Sequence, residues 1–137
     1  MTRFSSNHLI TAAIVTLAVA VLGSVIPTAA VAAGDVAAGK AKFLELCVSC
    51  HGESGKGDGP TGLALKASGQ PTPRDFTVGA FKLDPDKDGT KGTDADLKLV
   101  ITNGAMAYGG SPLMAPIPGL SDADLDNLIA FIRSLKK

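Results

Sequence analysis

Two cysteines and the histidine beside them are the residues of this sequence best suited to chemistry. Cys47 and Cys50 are separated by two residues, and His51 follows directly. The 137-residue chain has no other cysteine, and its one other histidine is His8, close to the N-terminus. Two thiols and an imidazole so close together can attach a cofactor, ligate a metal or carry out thiol redox chemistry.

Three simpler interpretations of the cysteine pair are weaker than cofactor attachment. A disulfide that closes so short a loop restricts the unfolded chain very little. A zinc site needs four ligands, and beyond the N-terminal segment the chain offers no further Cys or His. A redox dithiol is expected beside a βαβ pattern, whereas the segments around this motif are predicted to be helical. The spacing Cys47-x-x-Cys50-His51 is that of c-type haem attachment, in which both thiols reach one porphyrin edge and the imidazole lies under the iron.

The N-terminal segment has the pattern of a secretory signal. Arg3 precedes an almost uninterrupted apolar run over residues 9–26, and small residues follow at 30–32. This order of charge, apolar run and small residues predicts a signal peptide over 1–33 and a mature domain over 34–137. The export that it implies predicts a periplasmic protein. The apolar run is also close to the length of a membrane span, so an uncleaved anchor is the alternative.

Composition limits what the mature domain can be. The chain has 13 basic and 13 acidic residues, so it lacks the basic surface of a nucleic-acid-binding protein. It has no Trp, one Tyr and five Phe, but 16 Gly and 8 Pro. Such a chain forms one small domain with a thin core, which a large apolar cofactor would complete.

Three segments are predicted to be helical. The first covers about residues 35–46. The second begins at Thr93, followed by two acidic residues that favour a first turn, and ends at Gly104. The third begins at Ser121 and has one apolar face. Long Gly- and Pro-rich loops separate them and no alternating strand pattern is present, so we expect an all-α domain whose loops wrap a planar cofactor.

Several positions around the cysteine motif match a known family. Gly39 and Phe43 precede the motif, Phe131 lies in the last helix, and the stretches 55–60 and 73–76 are typical of a bacterial subgroup. With these residues the chain resembles the class I c-type cytochromes, in particular the bacterial monohaem proteins. The resemblance implies a small cytochrome c fold with about three main helices, one covalent haem c and a role in electron transfer.

A second axial ligand for the iron is expected from a methionine. The family places this ligand in a Pro-rich loop ahead of the C-terminal helix, which corresponds to Met114 here. Met106, just beyond the second predicted helix, is the alternative. The sequence departs from the family at one point, because Ala115 stands between Met114 and the next proline.

Two further residues are assigned supporting roles. A ligating histidine usually donates its second ring N–H to a carboxylate, a carbonyl or a water. The family resemblance assigns this acceptor to the carbonyl of Pro60. Arg74 has the planar donor fork to pair with a haem propionate, although a solvated loop charge is an equal alternative.

The sequence therefore predicts an electron carrier. With His51 and Met114 on the iron, no axial position is open for a substrate or a gas. The alternatives are a cytochrome subunit of a larger periplasmic or membrane oxidoreductase complex, an open-site haem enzyme or sensor, and a non-haem redox protein. The expected partners are redox proteins, namely a dehydrogenase, oxidase or reductase, and contact with a membrane is expected only transiently or through an uncleaved N-terminus.

A stretch of alternating aspartates copies the beginning of a calcium-binding loop. Asp84, Asp86 and Asp88 precede Gly89 with the spacing of an EF-hand. The twelfth position, which supplies a bidentate Glu in that motif, would be Ala95. We therefore interpret the stretch as an acidic turn.

Overall fold

The computed structural model of the protein describes residues 34–137, which form α-helices joined by ordered loops. The helices in chain order are α1 (Val36–Leu46), α2 (Val48–His51), α3 (Pro60–Ala67), α4 (Asp94–Asn103) and α5 (Asp122–Ser134), with a 3-10 helix over Ala105–Tyr108. No strand occurs in the described range, so the all-α prediction is confirmed for it. Within the same range, no helix is long and apolar enough to cross a membrane. The predicted signal over 1–33 lies outside the described residues.

The three predicted helices correspond to α1, α4 and α5, and their starts follow from side-chain caps. Asp35 accepts hydrogen bonds from the first free N–H groups of α1, at 2.8 and 3.1 Å. Thr93 and Asp96 form a reciprocal capping box at α4, and Ser121 and Asp124 form another at α5. Each cap satisfies backbone donors that have no partner within the helix, which is why the chain turns into a helix at these points.

Two short helices were not among the three that the sequence predicted. α2 is only four residues long and contains the second half of the cysteine motif. α3 begins at Pro60, whose missing N–H costs nothing at the first helical position, and neither helix has a side-chain cap. The described residues therefore contain five α-helices, of which the three predicted ones are the longest.

The first and last long helices cross at Gly39. An added Cβ there would fall 2.5 Å from the carbonyl carbon of Asn127 and 3.0 Å from the Cβ of Phe131, so only glycine lets α1 and α5 approach so closely. One turn further along α1, the ring of Phe43 lies 5.1 Å from that of Phe131. Phe43 and Leu128, both completely buried, form the centre of the core beside this crossing.

Backbone hydrogen bonds hold two loops, around residues 55–57 and 73–76, against the C-terminal end of the cysteine motif. The N–H of Gly57 donates to the carbonyl of His51 at 2.8 Å, and the N–H of Phe76 donates to the carbonyl of Gly55 at 2.8 Å. Gly57 has a φ of 78° and would clash with the Pro73 carbonyl if it carried a Cβ. Gly57 therefore allows this loop to pack closely against Pro73.

The loop that carries Met114 is fastened to the end of α4. The N–H of Ala105 donates to the carbonyl of Met114, and the N–H of Ile117 donates to the carbonyl of Ile101, both at 3.0 Å. Gly104 has a φ of 79° and lies against this loop, with the Cδ of Pro116 only 2.9 Å from where a Cβ would be. These contacts fix the loop against the C-terminal end of α4.

Candidate functional site

The cysteine motif lies where two helices meet. Cys47 ends α1 and also precedes α2, and its carbonyl accepts hydrogen bonds from the N–H groups of Cys50 and His51, at 3.3 and 2.9 Å. This single helical turn sets the direction of all three side chains. Both thiols are free and half-buried. The motif therefore presents two thiols and one imidazole from one rigid turn.

His51 is held by a backbone carbonyl, although not the one that the sequence led us to expect. Its side chain is buried, with 8% of the residue exposed. Its Nδ1 lies 3.1 Å from the carbonyl oxygen of Arg74. The family resemblance had assigned this acceptor to Pro60, which instead begins α3. The carbonyl of Arg74 faces His51 instead, because the hydrogen bond between Gly55 and Phe76 holds residues 73–76 beside the histidine.

An aromatic ring that is not among the predicted site residues completes the surroundings of His51. Phe76 stacks on the imidazole with a centroid distance of 4.5 Å and an interplanar angle of 15°. Phe43 contacts both rings, at 6.4 Å from His51 and 6.2 Å from Phe76. The imidazole is thus restrained on one face by stacking and at one nitrogen by a hydrogen bond. The position of Phe76 directly after Arg74-Asp75 was the available signal for this role.

Burial changes the acid–base properties of the motif. Desolvation, with a smaller contribution from the neighbouring Cys50, raises the pKa of the Cys47 thiol to about 11. Desolvation also lowers the pKa of His51, and the Arg74 carbonyl opposes this only in part. The imidazole is therefore kept in the neutral form that ligates metals, and the free Cys47 thiol is kept protonated.

Two adjoining apolar cavities, of about 240 and 200 Å³, open beside the motif. Both thiols line the smaller cavity. Five side chains line both cavities and so form the boundary between them, namely His51, Phe76, Ile101, Met114 and Ile132. Together the cavities make a cleft with the imidazole and the Met114 thioether among its walls.

The two candidate methionines are in different surroundings. Met114 is half-buried and lines both cavities. Met106 lies in the 3-10 helix with 70% of the residue exposed, and it lines neither cavity. Of the two thioethers, the structure thus brings only that of Met114 into the cleft that contains His51.

Arg74 contributes to the site through its backbone as well as its side chain. The side chain lines the larger cavity. Its guanidinium donates from Nε to the carbonyl of Ala80 at 2.6 Å, and Nη2 donates to the same oxygen. This clamp holds residues 74–80 in a closed loop and so helps to fix the carbonyl that faces His51.

The residues present fit a covalently bound haem. The cleft is apolar, as the face of a porphyrin requires. Cys47, Cys50, His51 and Met114 all line the cleft, which therefore has two thiols, a neutral imidazole and a thioether on the residues of its walls. An apolar cleft with two thiols, an imidazole and a thioether is typical of a protein that bonds haem covalently to its cysteines and supplies ligands to the haem iron.

Comparison with known proteins leads to the same class. A family model described as cytochrome c matches residues 36–136. The chain is also 40% identical over 106 residues to cytochrome c-554(547) of Halothiobacillus neapolitanus, an alignment that covers 76% of this chain and 100% of the relative. The chain therefore belongs to the cytochrome c family, which transfers electrons through covalently bound haem c.

A solved structure with the same fold comes from a larger protein. A chain of the reducing HAO-like protein complex of Kuenenia stuttgartiensis superposes with a TM-score of 0.58 at 29% identity. The match covers 74% of this chain but only 43% of the other. The fold seen here is thus also found as one part of a longer chain in that complex.

Proposed function

We propose that the protein is a one-electron carrier with a single haem c bonded to Cys47 and Cys50 and ligated by His51 and Met114. One observation supports this assignment more than any other: the imidazole and the Met114 side chain both line the two adjoining cavities beside the thiols. When bound there, the haem supplies an iron that changes by one electron between its ferric and ferrous forms.

The chain's own residues define what that iron can do. The Arg74 carbonyl accepts the Nδ1–H of His51 and so leaves Nε2 as the nitrogen available for ligation. The Phe76 stack restrains the plane of the imidazole. A thioether ligand favours ferrous iron and therefore raises the reduction potential. The buried apolar walls exclude water from the centre of the cleft.

Carrier activity follows if His51 and Met114 both hold the iron, because no position would then be left open for oxygen, peroxide or a gas. His51 is also the only histidine in residues 34–137, so no second imidazole is available there as a base. Electrons would then enter and leave through the exposed haem edge, in brief encounters with other redox proteins.

The second candidate is a fixed subunit or module of an oxidoreductase complex. The resemblance to one part of a longer chain in the Kuenenia assembly supports it. In both cases we propose export to the periplasm, with residues 1–33 removed as a signal or retained as an anchor. The patterns that support export are the apolar run over 9–26 and the small residues over 30–32.

The test is a comparison of Met114→Ala with Met106→Ala in protein from a host that matures c-type cytochromes. We expect Met114→Ala to abolish the weak far-red absorption of ferric Met-ligated haem, lower the reduction potential and allow rapid binding of cyanide. Met106→Ala is the matched control and should do none of these, because its side chain lies outside the cleft.

Intact mass measured on the same samples tests the rest of the proposal. The mass should equal that of the chain from about residue 33 or 34 onward plus one haem, and Cys47→Ser or Cys50→Ser should weaken or prevent attachment. A bare chain would refute haem attachment, and full-length protein in the membrane would show an anchor. A high-spin ferric spectrum with rapid carbon monoxide binding in the wild type would indicate an open site instead of a carrier.

A further inference from the structure

Asp96 is a buried charged residue whose position is not explained by its role in the helix cap alone. Among the described residues, the buried polar or charged side chains are those of His51 and Asp96, which are 8% and 1% exposed. Asp124 occupies the same third position in the capping box of α5, yet it is half-buried and lies 4.0 Å from the Nζ of Lys42. A capping carboxylate can therefore act near the surface beside a cation, so the cap does not require the burial of Asp96.

Asp96 belongs to the side of α4 that lines the larger cavity. Three apolar residues of the helix line this cavity with it, at the spacing of one helical face, namely Leu97, Val100 and Ile101. The same cavity is lined by His51. Asp96 is thus the charged member of an otherwise apolar helix face at the proposed haem site.

Hydrogen bonds, rather than a cation, keep the carboxylate of Asp96 in its charged form. Its Oδ2 accepts from the N–H and from the hydroxyl of Thr93, at 2.8 and 2.9 Å. Burial raises the pKa of Asp96, but these bonds and the nearby N–H groups of Asp86 and Gly92 outweigh burial and hold that pKa below its usual value. The group is therefore anionic at neutral pH.

No basic side chain forms an ion pair with Asp96 within the part of the chain that the structure describes. The ion pairs there use three other basic residues, namely Lys42, Lys98 and Arg133. Arg74 and Lys82 also line the larger cavity, but the Arg74 guanidinium binds a backbone carbonyl and Lys82 is exposed. A buried charge without a counterion is screened much less than an exposed one, so the charge of Asp96 acts on whatever occupies the cavity.

We propose that the buried carboxylate of Asp96 lowers the reduction potential of the haem that binds in the cleft. This inference rests on the proposed function, because it needs a haem beside His51. Reduction by a donor protein adds one electron and so removes one unit of positive charge from the cavity. A fixed negative charge nearby stabilises the more positive ferric form and therefore opposes reduction. Asp96 thus acts in the opposite direction to the thioether of Met114, which favours ferrous iron.

The size of the effect follows from Coulomb's law. Two unit charges about 10 Å apart, at an effective dielectric constant of about 20, change an equilibrium constant by roughly ten- to twentyfold. Solvent at the mouth of the cleft and the N–H groups around the carboxylate reduce this factor. We therefore expect that removal of the charge shifts the ferric–ferrous equilibrium about three- to tenfold toward the ferrous form. For a one-electron couple, this corresponds to a rise of about 30–60 mV in the reduction potential.

Redox titration of the purified, haem-loaded Asp96→Asn protein, followed by its absorption spectrum, tests the proposal. Its potential should rise by about 30–60 mV, while the far-red absorption of the ferric form stays as in the wild type. Asp122→Asn removes an exposed carboxylate outside both cavities and should shift the equilibrium less than about twofold. Thr93→Ala weakens the cap of α4 but keeps the charge of Asp96, so it should not raise the potential.

A second pair of variants separates charge from packing, even if the asparagine variant does not fold. Glutamate and glutamine have the same shape and both suit the third position of a capping box, so Asp96→Gln should have a potential above that of Asp96→Glu by the same three- to tenfold factor. Equal potentials in this pair, or a rise in Thr93→Ala as large as that in Asp96→Asn, would overturn the proposal. A wild-type chain without haem would instead refute the proposed function, so the two failures are distinguishable.

Discussion

The crossing of α1 and α5 at Gly39 provides a test in which two physical effects have opposite signs. Alanine is the better helix former by about 1 kcal/mol, so helix propensity alone predicts that Gly39→Ala stabilises the protein. The crossing predicts the opposite, because the new Cβ would lie 2.5 Å from the carbonyl carbon of Asn127. Carbon atoms in contact prefer about 3.5–4.0 Å, so the helices would have to separate by about 1–1.5 Å.

The size of the effect follows from the nature of the obstacle. Overpacking costs about 1–3 kcal/mol, and the upper end applies because a backbone carbonyl cannot rotate away. Subtracting the gain in helix propensity leaves a net loss of about 2 kcal/mol in the free energy of unfolding. For a domain of this size, that loss lowers the midpoint of thermal unfolding by roughly 8–16 °C. Denaturant unfolding followed by far-ultraviolet circular dichroism measures the loss directly.

Ala38→Gly is the matched control for this experiment. Ala38 is the preceding residue of α1 and is exposed, so its replacement should cost only the helix propensity, about 1 kcal/mol. Gly39→Ala should therefore be the less stable of the two variants. A Gly39→Ala protein as stable as the wild type or more so would refute the argument that the close approach of the two helices requires glycine.

Two further predictions concern the helix caps. Thr93→Ala should lower the free energy of unfolding by about 1 kcal/mol because the Thr93 side chain caps α4, whereas Thr93→Ser should retain most of it. Hydrogen bonds from Ser121 and the charge of Lys42 hold the pKa of Asp124 below its ordinary value of 3.8. This lowered pKa stabilises the folded protein at pH values above the pKa of Asp124 in the unfolded chain, and the stabilisation is lost as pH falls through the lower pKa of the folded state. Between about pH 6 and pH 3, the denaturant midpoint should therefore fall more in the wild type than in Asp124→Asn. Equal falls in both proteins would show that other groups cause the acid sensitivity.

The sequence predicted those parts of the fold that depend on local signals. The starts of α1, α4 and α5 follow from cap residues that act within three positions of themselves. The helices α2 and α3 lack such caps, and the Gly- and Pro-rich composition around them is typical of loops. Pro60 at the first position of α3 was the one local signal that could have revealed it.

The site was predictable to the extent that its residues are adjacent in the chain. Cys47, Cys50 and His51 form one helical turn, and their spacing alone indicates their chemistry. The acceptor for His51 was not predictable in this way, because any carbonyl that passes the ring can serve. The choice of Arg74 depends on hydrogen bonds between loops that are distant in sequence.

The attachment of the Met114 loop has a consequence for local opening. A few backbone hydrogen bonds, among them those of Met114 and Ile117, connect this loop to the residues around the end of α4, while Pro112, Leu113 and Ala115 are exposed. The α1–α5 crossing, in contrast, is closed by buried rings. Amide protons of the loop should therefore exchange with solvent through a small local opening, and those of α1 and α5 only through global unfolding. Such a loop can move Met114 away from the cleft while the rest of the molecule stays folded.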